Sequence, residues 1–352
     1  MGPASMALLS TVLLAVHLLA LNVASAGPLV CVWLHFRGRR GDATALAAGR
    51  RLAWSAVAVL LAGVAIGALL LALACVDADR GYRDALARFP TRALADAGGE
   101  AVFSLACLVV YAGMWDRWRG RPWLHGLWAV VSATNLLYHF PPLMVALGTL
   151  AVRPELVPDP AITRDVFRPL MVRPEILAQS LHFTLASLAA SGLALMIIAG
   201  RLRRCCGRSP DRAKRFAGSG DPRTTAAADS AAGVENAGRL IRGGAAIALA
   251  ASLLQLVVGT WVLAELPLRV RQALIGDDWL ASGLFFVAIV GTFGLLHSLA
   301  SVGLGNTTDR SVLRCAALLV GVVVLMTGVL ETARNAERKN EVPGIWATAE
   351  SH

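Results

Sequence analysis

Apolar residues in this chain fall in long unbroken blocks, and polar residues are confined to the stretches between them. The blocks run at about 6–34, 52–75, 97–114, 124–151, 175–200, 241–265, 280–303 and 312–332. An α-helix needs roughly 20 apolar residues to cross a bilayer core. Without water the backbone must satisfy its own hydrogen bonds, so such blocks are read as helices. The pattern predicts an all-α polytopic transmembrane helix bundle of about eight spans, embedded in a lipid bilayer. The first block is too long for a signal-peptide core and has no basic leader, so it is read as a retained span.

The polar stretches divide the chain. Residues 1–200 form a five-span half, 241–332 a three-span half and 333–352 a polar tail. Residues 76–96 are rich in Asp and Arg and read as a solvated loop with room for a short surface helix. Residues 201–240 open on Arg201, Arg203 and Arg204 and then turn rich in Gly, Ala, Ser and Asp. That composition builds no core, and it predicts a flexible cytoplasmic loop.

Charge sets the expected orientation. The net charge is +10, and Lys214 and Lys339 are the only lysines. The basic residues lie in short connections between spans, so the positive-inside rule accounts for them and nucleic acid is not an expected partner. Connections after the odd-numbered spans hold the larger share of Lys and Arg. This predicts a bacterial inner (cytoplasmic) membrane location with both termini periplasmic.

Little soluble-enzyme chemistry is legible. There is no phosphate-cradling Gly loop in a fitting context, and no His-Glu-x-x-His, Gly-x-Ser-x-Gly or Cys-x-x-Cys-His run. Cys31, Cys75, Cys107 and Cys315 lie in or beside apolar spans, where cysteine behaves as a small hydrophobe. Cys205 and Cys206 stand in the basic connection and give weak support for metal or redox chemistry.

Four histidines fall within the spans: His17, His139, His182 and His297. Ionisable groups inside a membrane are costly and mark functional sites by default. Neutral imidazole is a common axial ligand of haem iron. The alternative is that each histidine hydrogen-bonds a backbone carbonyl of a neighbouring helix. His17, His139 and His182 lie about 11, 12 and 7 residues from the outer ends of their spans, so a His139–His182 or His17–His182 clamp fits the depths. His297 lies about 17 residues from its outer end, nearer the cytoplasm. Small residues follow His182, consistent with close approach of a macrocycle or with ordinary helix packing. Glu100 and Ser104 share a helix face, and with Asp96 they are weak catalytic candidates, for metal ligation or proton relay.

The order of these features resembles subunit I of the cytochrome bd quinol oxidases. Three stretches carry the resemblance: His17 with Gly27; Trp115, Asp116 and Arg117 followed by His125 and by Thr134, Asn135 and Leu136; and Arg173, Pro174 and Glu175 leading to His182. The resemblance implies that His17 is the axial ligand of a high-spin haem b and His182 a ligand of a low-spin haem b. It implies that Trp115, Asp116, Arg117 and Asn135 shape the subunit around its haems, and that a second membrane subunit or redox partner stands beside it.

The chain also departs from that family. Two family glutamates before Trp-Asp-Arg correspond, without gaps, to Asp96 and Ser104. The family's Met ligand on the seventh span has no counterpart around Phe286 to Gly291. Only Leu266 to Asp278 stands where the quinol-binding loop belongs. The expectation is a shortened, haem b-binding membrane electron-transfer protein, a subunit of a respiratory complex, with quinone left open as a partner. The alternatives are a haem-free structural or assembly subunit and a reduced terminal quinol oxidase.

Overall fold

The computed structural model describes residues 3–76, 80–118, 120–157, 162–216 and 222–339. Among these residues there is no strand. The helices are α1 (Pro3–Arg39), α2 (Ala43–Val76), α3 (Arg80–Arg88), α4 (Thr91–Gly113), α5 (Pro122–Val152), α6 (Arg164–Met171), α7 (Pro174–Phe216), α8 (Pro222–Glu265), α9 (Leu268–Gln272), α10 (Trp279–Gly303) and α11 (Asp309–Lys339). Eight of them, all except α3, α6 and α9, are long and apolar enough to cross a membrane. The all-α, eight-span expectation holds.

Several helix boundaries have a local cause. Gly41, with φ of +92°, turns the chain between α1 and α2, a conformation that disfavours any side chain. Asp42 then accepts a hydrogen bond from the Ala45 amide at 2.9 Å and pairs with Arg37 at 3.1 Å. Asp278 caps α10 by accepting from the amides of Leu280 and Ala281. Pro174 begins α7, where its missing N–H costs nothing, and Glu175 places an acid in the first turn. Glu175 is buried and held by Arg173 at 2.7 Å and Arg153 at 3.7 Å.

One apolar core runs through the bundle, with buried residues from all eight long helices. It crosses the expected division between the five-span and three-span halves, which therefore pack as one body. The closest approach lies across that division. A Cβ on Gly192 of α7 would stand 2.5 Å from the Gly244 carbonyl oxygen of α8, so the two backbones touch there. This is the small-residue packing that brings membrane helices together when lipid is as apolar as leucine. Large apolar side chains point outward, among them Val257, Phe286 and Leu313. Such a surface is stable against acyl chains, not water.

The two ends differ. At one, the turn end, lie the connections after α1, α4, α7 and α10. At the other, the cap end, α3 and α6 fold over α5. Ala85, Phe89, Ile162 and Leu170 form a second apolar cluster with Leu143, Leu147 and Ile176. Arg88 donates to the carbonyls of Val157 and Pro154, tying the cap together.

The expectation of a flexible loop over 201–240 is corrected. Helix α7 continues to Phe216 and α8 begins at Pro222; residues 217–221 lie outside the described residues. The two helices still touch beyond the apolar spans, where the Ser230 hydroxyl donates to the Cys206 carbonyl at 2.7 Å. Ala226, Ala227, Ala228, Ala231, Ala232, Glu235 and Arg239 on α8 and Arg201, Leu202, Arg203 and Arg204 on α7 are good helix formers, and a helix already nucleated in the membrane extends cheaply through them. The polar tail likewise begins as helix, to Lys339; 340–352 lie outside the described residues.

Candidate functional site

Helices α1 and α7 run parallel, side by side. Asn22 accepts a hydrogen bond from the Ser187 hydroxyl at 2.9 Å, and one turn further on Gly27 faces Ser191. His17 and His182 each precede this bridge by five residues, so they stand at one height, about 7.5 Å along their helices from it. Their depths match, as the sequence implied.

Their directions do not. Five residues also rotate a side chain by about 140° around a helix. Asn22 and Ser187 face each other, so His17 and His182 turn away from that interface. His17 lies against α2: its Nδ1 is 2.8 Å from the Gly63 carbonyl oxygen, and Gly67 leaves room for the ring. His182 lies against α8, with Gln255 Nε2 3.5 Å from its Nε2 and Gly259 close to Cε1. A single clamp between His17 and His182 is ruled out by this rotation. The two imidazoles stand in different helix pairs, His17 between α1 and α2 and His182 between α7 and α8.

The other two histidines do not join them. His139 is exposed on α5, with its ring edge against Tyr138, and His297 is exposed on α10. Both belong to the outward surface of apolar spans. The expected His139–His182 clamp is therefore corrected, because an outward imidazole does not reach a ring held between α7 and α8.

The carboxylate candidates also separate. Asp96 is exposed in the first turns of α4, and Glu100 is half-buried one turn on. Ser104 is fully buried, but its hydroxyl accepts a hydrogen bond from Asn135 Nδ2 at 2.8 Å. Asn135 also donates to the Glu100 carbonyl at 3.0 Å, and the Ser132 hydroxyl donates to the Ser104 carbonyl at 3.0 Å. Ser104 and Asn135 thus clip α4 to α5. Among the described residues no three His, Cys, Asp or Glu side chains gather as a metal site.

Near the turn end Trp115 and His125, which the sequence singles out, meet two residues it does not, His35 and Tyr111. His35 of α1, Tyr111 of α4, His125 of α5 and Trp115 are all buried together. His125 stacks on Tyr111 with centroids 4.2 Å apart, and His35 meets His125 edge-on at 5.0 Å. Trp115 meets both imidazoles edge-on and lies over Gly49 of α2, where a Cβ would come within 2.6 Å of its ring. The His125 Nε2 donates to the Tyr111 carbonyl at 2.7 Å, which leaves Nδ1 as a bare, buried acceptor. Asp116 follows Trp115 but points outward, to Arg50 at 2.8 Å. His35 stands one helical turn after Cys31 on the face toward α2, and that spacing was its one signal in the sequence.

Residues fit to hold a haem can be judged from ring orientation. A histidine that binds iron commonly gives its other ring N–H to a backbone carbonyl, which fixes tautomer and plane. His17 has that arrangement: Nδ1 is spent on Gly63, and no hydrogen bond engages Nε2 among the described residues. His182 keeps a buried Nδ1 without a partner and has only the distant Gln255 amide at Nε2. His17 meets that requirement of an axial ligand, whereas His182 has no carbonyl to fix its ring among the described residues. Compared with protein-family models and with curated proteins, the chain matches none.

Proposed function

We propose that this protein is a haem b-binding electron-transfer subunit of a bacterial cytoplasmic membrane. It shares its plan with subunit I of the cytochrome bd oxidases and works beside a second membrane subunit. The observation that carries the reading is His17, half-buried between two apolar helices with Nδ1 fixed by the Gly63 carbonyl and Nε2 left for iron. His182 supports it as a second, separate ligand at the same height. When bound, haem supplies a one-electron couple whose potential follows ligand identity and burial. The chain's own part is to orient the two imidazoles and keep water from them. The His17 ring packs against α2 at Gly67 and the His182 ring against α8 near Gly259, and the Asn22–Ser187 bridge fixes their relative height. The exposed His139 and His297 lie on the faces where a second subunit would dock.

The test is spectroscopic. Protein expressed with ample haem and purified in mild detergent is expected to show haem b bands in reduced-minus-oxidised spectra. His17→Ala and His182→Ala should each remove a distinct part of that signal, whereas His139→Ala and His297→Ala should leave it intact. Absence of haem from the wild type refutes the reading.

One observation favours a second reading, a haem-free structural subunit. His125 shows that this bundle does use buried imidazole for packing and for a backbone hydrogen bond. On that reading His17→Ala lowers stability and no variant changes an absorption band.

A further inference from the structure

At the turn end, between α2 and α7, lies a surface cleft lined by Arg50, Arg51, Trp54, Ser55, Ile198 and Arg201. Its height in the membrane follows from the sequence. The apolar run of α2 begins at Leu52, directly after Arg51, and that of α7 ends at Gly200, directly before Arg201. The two arginines therefore stand at the same boundary, reached from opposite directions by antiparallel spans. That boundary is where lipid headgroups lie.

The cations are not equivalent. Arg50 is already paired with Asp116 at 2.8 Å. Arg51 and Arg201 are both exposed, and neither has a carboxylate within ion-pair distance among the described residues. The other cleft at this end is different in kind, because its Arg203 is bound to Asp309 at 2.7 Å and to the Thr307 carbonyl. Below the two uncommitted arginines the lining changes character. Trp54 is 46% exposed, one turn deeper, at the level where indole rings sit in a bilayer interface. Ile198 lies a turn deeper on α7. Cations above, an amphipathic ring between and an aliphatic wall beneath match the order of parts in one molecule: phosphate, glycerol backbone and acyl chain.

We infer that the Arg51–Arg201 cleft is a binding site for an anionic phospholipid. Its phosphate is bridged by the two guanidinium groups and its acyl chain lies along Trp54 and Ile198. Basic pockets between spans at a headgroup surface are known places for such lipids. Guanidinium suits them because its fork of donors matches phosphate oxygens. The site is independent of the haem reading. It lies between α2 and α7, the helices that neighbour His17 and carry His182.

The test uses the full chain, delipidated in detergent and titrated by native mass spectrometry. The ligands are phosphatidylglycerol, cardiolipin and phosphatidylcholine of matched acyl chains, and inorganic phosphate. Anionic lipid is expected to bind well ahead of phosphatidylcholine. Each cation near a membrane surface is worth about fivefold in binding, so Arg51→Ala/Arg201→Ala should weaken anionic lipid by roughly thirtyfold. Arg51→Lys/Arg201→Lys should retain most of the binding, which separates loss of charge from loss of fold. Arg310→Ala, the loss of one charge elsewhere on the same end, should have little effect. Phosphatidylcholine binding as tightly as phosphatidylglycerol would overturn the proposal. So would unchanged lipid binding by the folded double alanine variant. Inorganic phosphate competing at the lipid's own concentration would reassign the cleft to free phosphate.

Discussion

The contact between Gly192 and Gly244 makes the sharpest demand on this structure. A methyl group at position 192 would stand 2.5 Å from the Gly244 carbonyl oxygen, 2.9 Å from the Ala248 amide nitrogen and 3.2 Å from the Ala248 Cβ. Ordinary contact begins near 3.4 Å, so the first atom is about 0.9 Å too close and belongs to a backbone that has no rotamer to change. Relief requires α7 and α8 to separate along a seam that joins the two halves of the bundle. Overpacking of this kind costs about 1–3 kcal/mol. Alanine gains back about 0.5–1 kcal/mol over glycine through helix propensity. Gly238 provides the control, since a Cβ there meets nothing within 4 Å. The propensity gain is common to both variants and cancels, so Gly192→Ala is expected to be less stable than Gly238→Ala by about 1–3 kcal/mol. Gly238→Ala itself should match or exceed the wild type. Unfolding midpoints in mixed micelles of dodecyl maltoside and sodium dodecyl sulfate, followed by far-ultraviolet circular dichroism, measure the difference. If the two variants unfold together, α7 and α8 are not held by backbone contact, and the position of His182 opposite Gln255 loses its foundation.

Other consequences follow from single contacts. Ser187→Ala and Asn22→Ala each break the bridge between α1 and α7 and should cost about 0.5–1.5 kcal/mol, with the double variant no worse than either; a mutant cycle in the same micelles checks this, and full additivity would deny the contact. Asn135→Leu removes two donors from the α4–α5 clip and should lower stability by about 1–2 kcal/mol without altering any haem band, since Asn135 lies off both histidine sites. Trp115→Ala empties the centre of the imidazole–aromatic cluster and should cost about 3–5 kcal/mol, read as reduced yield and a lower melting temperature. Asp116→Asn breaks an ion pair whose side chains are both more than half exposed, and its effect on the melting temperature should be small.

The membrane architecture was legible because its cause is local. Whether a segment enters lipid depends on its own apolar length, and the boundaries at Leu52 and Gly200 or the cap at Asp278 are written in consecutive residues. The extension of α7 and α8 past the membrane was missed because composition was weighed as for a free chain. Residues 201–216 instead continue a helix that lipid has already nucleated. The depth of the histidines was legible too, since rise per residue is fixed once the spans are known.

What the sequence determined by itself was the number of spans, their ends and the heights of His17 and His182. Which way each imidazole points was decided only by the packing. A helix turns a side chain by about 100° per residue, so its direction has meaning only once its neighbours are placed. The Asn22–Ser187 bridge and the Gly192–Gly244 contact place them, and they leave His17 and His182 in different helix pairs. The pairing of His35 with His125 was beyond the sequence for the same reason. Those rings come from helices ninety residues apart in the chain, and nothing local to either one encodes the other.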